Sequence, residues 1–147
     1  MKICIISVGK DFDRDLKDKI DEYNKRLEQY FDLEWKLLPS SELNKESEGI
    51  LKVIKPEDFV YVLDEAGKEL TTIELSQKLE KNLLSGVKRI VFIIGGAYGL
   101  SDAVRMRGNL VWCLSKLTFP HQLVRLILSE SLYRAISVLK NEPYHHS

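Results

Sequence analysis

"VFIIGGAYGLSDAVR", residues 91–105, carries a strand pattern into glycines and then into a helix start. The run 87–94 is short, apolar and rich in β-branched residues, which predicts a buried strand. Gly95 and Gly96 end it. Ser101 and Asp102 are capping residues for a short helix that stops near Gly108. A strand without polar alternation must be covered on both faces, so it belongs inside a helix-flanked sheet. Glycines at its end either shape a turn for the chain itself or leave bare backbone for a ligand, and the residues alone allow both. "GGAYG" is not G-x-G-x-x-G and follows the fourth strand rather than the first. No G-x-x-x-x-G-K-[ST] occurs, so neither a dinucleotide fingerprint nor a P-loop is present.

The same alternation extends outward. Residues 3–8, "ICIISV", predict a strand closed by Gly9. Leu16, Ile20, Tyr23, Leu27 and Tyr30 form one helical stripe. "LEWKLLP" is a second strand. Residues 41–54 predict a helix opened by Ser40 or Ser41 and ended near Pro56. Residues 59–63 predict a strand followed by a turn around Gly67. Thr71 and Glu74 have capping-box spacing ahead of Ile73, Leu75, Leu79 and Leu83, and Ser85-Gly86 stops that helix. "LVWCLS" is a fifth strand, followed by a loop and a long last helix. Five strand–helix alternations predict an α/β fold, a mostly parallel sheet flanked by helices, in one domain over residues 1–147. Ligands in such sheets lie at the carboxyl ends of strands. Three of those ends are chemically distinctive: Leu63-Asp64, Gly95-Gly96 and Leu114 to Pro120.

Composition narrows the class. The chain has 147 residues, enough for a substantial core. Lys+Arg and Asp+Glu each number 22, and a zero net charge does not point to bulk electrostatic capture of nucleic acid. An RNA role then needs a local basic patch or a large composite partner. Cys4 and Cys113 lie in apolar runs without metal-ligand spacing, which predicts buried free thiols in a reducing compartment and no metal. The apolar start is too short for a signal peptide, and no run approaches the ~18 apolar residues of a membrane span. A soluble, cytoplasmic protein without a membrane partner is expected.

The segment "SKLTFPHQLVR" places Leu117, Thr118 and Phe119 in a loop between strand and helix. Its backbone groups are free to bond a planar base walled by apolar side chains, or the segment is a connection that simply packs. Pro120 suits a helix start. His121 beside it is a helix-start residue or a catalyst. On the last helix Arg125 shares a face with Ser129, and Glu130 with Arg134. The second pair is a salt bridge, or Arg125 and Arg134 face a phosphate. Tyr144, His145 and His146 are a frayed end, or groups that stack on bases and exchange protons.

"MKICIISVGK", "VFIIGGAYGLS" and "LSKLTFPHQLVRLILSESLYRAISVLKNEPYHH" together resemble the RlmH family, small SPOUT-class methyltransferases. The likeness spans essentially the whole chain, least so residues 35–58. It implies methylation of N3 of a pseudouridine in helix 69 of 23S ribosomal RNA, on the assembled ribosome, with S-adenosylmethionine as methyl donor. It implies a C-terminal trefoil knot and a homodimer with the site near the subunit interface. Carried over, the cofactor residues are Leu63, Gly95, Leu114, Ser115, Lys116, Leu117, Thr118 and Phe119, with Gly96 and Gly99 as weaker additions. Glu130, Arg134 and His121 are the catalytic candidates without assigned roles, beside Tyr133. Arg125, Tyr144, His145 and His146 are the RNA candidates. A Gly95→Trp chain is expected to fold yet lose the cofactor.

Overall fold

The computed structural model describes residues 1–146. Strands and helices alternate: β1 (Lys2–Val8), α1 (Arg14–Leu27), β2 (Asp32–Leu38), α2 (Leu43–Val53), β3 (Phe59–Glu69), α3 (Thr72–Leu84), β4 (Arg89–Ile94), α4 (Asp102–Arg107), β5 (Leu110–Cys113) and α5 (His121–Leu139). All strand pairs are parallel, in the order β2-β1-β4-β3-β5. The α/β expectation is borne out.

The central strands β1 and β4 are buried on both faces, which is why they read as unbroken apolar runs. Edge strand β2 alternates exposed and half-buried residues. Odd positions of β1 (Ile3, Ile5) meet Tyr61, Phe92 and the apolar faces of α1, α3 and α5. Even positions (Cys4, Ile6, Val8) meet Val60, Val91, Ile93 and the helices α2 and α4. The period of two thus divides the core into two layers. From adjacent strands the chain departs in opposite directions: β1 leads to β2 on one side, β4 to β5 on the other. The carboxyl ends of β1 and β4 therefore flank a switch point, the usual crevice of an open parallel sheet.

Both sequence-legible caps are present. Ser101 Oγ accepts from Val104 N–H at 3.3 Å. Thr71 and Glu74 form the reciprocal box at 3.1 and 3.0 Å. Other expectations need correction. Gly67 makes no turn, because β3 runs on to Glu69 through a bulge, with both Leu63 and Lys68 opposite Trp112. A Cβ there would lie 2.6 Å from the Val111 carbonyl carbon, so glycine permits strand-to-strand approach rather than reversal. α2 has no serine cap. Glu42 is its N-cap residue without a side-chain bond, and Ser41 N–H donates to Glu46 Oε2 at 2.9 Å. α1 ends at Leu27, which leaves Tyr30 in the turn that follows.

Cys4 and Cys113 are free and buried. Burial pushes the Cys4 thiol up to about 11. Among the described residues no cluster could hold a metal ion, and no helix is long and apolar enough to cross a membrane.

Candidate active site at the carboxyl ends of the sheet

A cavity of about 700 Å³ opens at the carboxyl ends of β4 and β5, beside the bulge of β3. That volume suits a nucleoside-sized ligand. Seven of the eight expected cofactor residues line it: Leu63, Gly95, Leu114, Ser115, Leu117, Thr118 and Phe119. Lys116 does not, since its side chain faces solvent with Nζ 3.6 Å from Glu69 Oε1. Gly96, Gly99 and His121 also face the cavity.

The connector 114–119 makes no bond from its backbone to other backbone among the described residues. Leu117 N–H is met by Ser115 Oγ at 3.0 Å. Thr118 Oγ1 donates to Glu65 Oε1 at 2.9 Å, which ties the connector to the bulged part of β3. The remaining amides and carbonyls are available to a ligand, and Leu63, Leu114 and Phe119 supply apolar walls. This donor set fits a purine nucleoside held by backbone between apolar side chains. At the rim Arg105 Nε donates to Asp64 Oδ2 at 2.7 Å and Nη1 to Asp102 Oδ1 at 2.8 Å. Asp64 had a sequence signal as a strand-end carboxylate. Arg105 had none beyond its place on a short helix.

The glycine loop serves the chain first. Gly99 has φ +75° and donates its N–H to Gly96 O at 3.1 Å, closing a tight turn. A Cβ on Gly95 would meet Gly99 O at 2.8 Å and Leu100 Cγ at 2.9 Å. The bare face of Gly95 is therefore filled by its own loop. The expectation that Gly95→Trp folds normally is corrected, because any side chain there displaces backbone.

Arg125 is the clearest correction. It is fully buried, although it stood as a candidate for a phosphate and, by the family resemblance, for RNA. All five guanidinium N–H groups are used inside the chain. Nε donates to Ser7 Oγ (2.8 Å), Nη1 to Asp11 O (2.9 Å) and Gln122 Oε1 (3.2 Å), and Nη2 to Val8 O (3.1 Å) and Gly9 O (2.7 Å). Its face rests 4.9 Å from the Phe12 ring centre. Arg125 locks the end of β1 and cannot reach a phosphate.

The other candidates gather further along α5, about one and a half to two and a half turns beyond Arg125, and in the tail that follows the helix. Arg134 Nη2 lies 2.5 Å from Glu130 Oε1. Tyr144 O–H donates to the same oxygen at 3.2 Å and stands 3.1 Å from the Tyr23 hydroxyl. Its ring meets Tyr133 edge-on at 4.7 Å, beneath the Arg134 guanidinium at 4.7 Å. His145 Nδ1 is 3.4 Å from Arg134 Nη1, and His146 is exposed. Asn141, at φ +55°, turns the tail back onto α1 and α5. Glu142 then accepts from the Tyr30 and Tyr133 hydroxyls, and the bond to Tyr30 holds that phenol up at about 12. None of these groups lines the cavity. Nine residues of helix separate His121 from Glu130, about 14 Å at 1.5 Å per residue. His121 alone of the catalytic candidates is at the cavity wall. Burial lowers its pKa first and the Arg125 charge next, against an opposing pull from Glu46.

Taken together, the parallel sheet and its carboxyl-end cavity define an α/β protein with the fold of a known RNA-modifying methyltransferase. The solved structure of tRNA (m1G37) methyltransferase from Aquifex aeolicus superposes with a TM-score of 0.56, covering 100% of this chain and 76% of that one. At 14% identity this is a likeness of fold. The chain belongs to the SPOUT methyltransferase family, whose model, described as "Predicted SPOUT methyltransferase", matches residues 1–145. It is 42% identical to the Ribosomal RNA large subunit methyltransferase H of Parabacteroides distasonis, over 99% of both chains. It is 45% identical to the protein of that name in Alkaliphilus oremlandii, again over 99% of both. The chain is thus an enzyme, a methyltransferase, and the resemblance drawn from its motifs stands.

Proposed function

We propose that this enzyme transfers a methyl group from S-adenosylmethionine to large-subunit ribosomal RNA, at N3 of a pseudouridine in helix 69 of 23S RNA. One observation carries the proposal. Near-complete mutual coverage by relatives named for large-subunit rRNA methylation coincides with a cavity lined by seven of the eight motif-derived cofactor residues. The bound cofactor would supply an electrophilic methyl carbon. The chain's own part is to hold it with Leu63, Gly95 and the 114–119 connector, and to exclude water with Leu114, Leu117 and Phe119.

The tail group needs a partner to reach the chemistry. Glu130, Arg134, Tyr144 and His145 do not line their own cavity, and Glu130 lies about 14 Å along α5 from His121 at its wall. A homodimer that sets one subunit's tail over the other's cavity removes that conflict. Leu117, 70% exposed at the cavity, and Tyr98, 74% exposed in the glycine loop, are the apolar surface such a partner or the RNA would cover. Arg134, Tyr144, His145 and His146 then hold the target nucleotide. The assembled ribosome as substrate accounts for zero net charge, since recognition is shared between RNA and protein surfaces. A single domain over residues 1–147, a trefoil knot in its C-terminal third and a cytoplasmic location complete the proposal.

Mass spectrometry of 23S RNA from a strain lacking this chain is the test. A helix 69 pseudouridine short of one methyl group is expected, restored by the wild-type gene. An unchanged methyl pattern overturns the assignment.

A further inference from the structure

The corner where β1 and β4 end holds two buried charges that do not pair with each other. Arg125 has no carboxylate among its acceptors. Glu46, 4% exposed on α2, has no cation among its partners. Its Oε2 accepts from Ser41 N–H, and its Oε1 has no hydrogen-bond partner. A buried carboxylate oxygen left unmet is costly and needs a reason.

His121 stands in the same corner. A Cβ on Gly9 would lie 3.2 Å from both His121 Nε2 and Arg125 Nη2, while a Cβ on Gly96 would lie 3.5 Å from Glu46 Oε1. Gly96 and His121 both face the cavity. Of the three groups His121 alone lines the cavity; Arg125 stands beside it at Gly9, and Glu46 lies behind the wall at Gly96. The charged groups whose fields reach His121 are Arg125, from its own helix, and Glu46, from α2. Burial first, and the Arg125 charge next, favour the neutral imidazole, which is the form that accepts a proton. Glu46 favours the imidazolium once it forms.

We propose that His121 accepts the proton lost from the methylated nitrogen, and that Glu46 is a positioning residue that stabilises the resulting imidazolium through its charge. The inference rests on the methyl-transfer function proposed above. In the step, the ring N–H proton passes to an imidazole nitrogen. The nitrogen lone pair bonds the methyl carbon, and the carbon–sulfur bond breaks with its electron pair returning to sulfur. One positive charge leaves the sulfonium and one appears on His121, which then releases its proton to water. The thioether and the methylated ring are both neutral.

The experiment compares wild type, Glu46→Gln and His121→Gln. Glutamine at 46 keeps an acceptor for Ser41 N–H and removes only the charge. Three readouts are taken: heteronuclear NMR titration of the three histidines, calorimetric affinity for S-adenosylhomocysteine, and single-turnover methyl transfer to ribosomes across pH. Glu46→Gln is expected to move the His121 midpoint, and the acid limb of the rate profile, to lower pH. It should slow transfer about tenfold, and His121→Gln about a hundredfold or more, with affinity for the thioether within twofold of wild type. If His121→Gln transfers within threefold of wild type, the proton goes elsewhere. If Glu46→Gln leaves the His121 midpoint unmoved, Glu46 only ties down Ser41. Should wild type transfer no methyl group to ribosomes, the rRNA proposal falls and the acceptor role with it, while the histidine titration still reads the charge coupling.

Discussion

Replacing Arg125 with methionine separates a structural clamp from an RNA contact. The side chain makes five hydrogen bonds, and those to Ser7 Oγ and Val8 O are buried. Methionine fills much of the volume but leaves those acceptors without donors. An orphaned buried polar group costs about 1–3 kcal/mol, so two of them place the loss at about 2–6 kcal/mol. Release from desolvating a guanidinium offsets part of this and favours the lower half of the range. For a chain of 147 residues, each kcal/mol corresponds to roughly 2–4 °C in Tm, so a fall of roughly 5–15 °C is expected. Urea unfolding followed by circular dichroism gives the loss from the midpoint, with m unchanged. A loss under about 1 kcal/mol, accompanied by weaker ribosome binding and a shallower salt dependence, would refute the clamp and return Arg125 to the RNA surface.

Other perturbations follow from the same geometry. Gly95→Ala forces Gly99 and Leu100 to move and should cost about 1–3 kcal/mol by urea unfolding, as overpacking does. Burial raises the Asp58 carboxyl, but hydrogen bonds from Arg89 at 2.9 and 2.6 Å, from the Lys55 N–H at 2.6 Å, and the charges of Arg89 and Arg107 together outweigh it and hold the group below the usual range. Its stabilising contribution is full above the unfolded-state value, ~4, and fades as pH falls through the lower folded value. Asp58→Asn should therefore cost about 3 kcal/mol at pH 7, with the gap to wild type closing in acid. Tyr144→Ala should leave S-adenosylhomocysteine affinity within about twofold while slowing methyl transfer to ribosomes more than about tenfold, because the tail acts on the nucleotide and not the cofactor.

Much of this architecture is legible in residue pattern because its elements follow local rules. Unbroken apolar runs mark the doubly covered strands β1 and β4, and the Thr71–Glu74 and Ser101 caps start α3 and α4 where their spacing says. Errors arise where a residue type has two physical uses. Gly67 reads as a turn, yet its lack of a side chain serves contact with β5, which only the partner strand reveals. Arg125 shares its spacing with surface arginines. Its burial depends on β1 ending beneath α5, residues 7–11 meeting residue 125 across most of the chain. Glu46 lies in "NKESEG", which reads as a solvated helix face, and no local signal sets it apart. The cavity residues were legible through family motifs rather than through periodicity, and neither places the tail relative to the cavity.

The most direct test of the central claim is a crystal structure with S-adenosylmethionine bound. Density for the nucleoside is expected between Leu63, Gly95 and the 114–119 connector, its base against backbone amides and its ribose and methionine portions within the same cavity. Density at another surface, or a connector closed against the glycine loop with no ligand between them at saturating concentration, would contradict it.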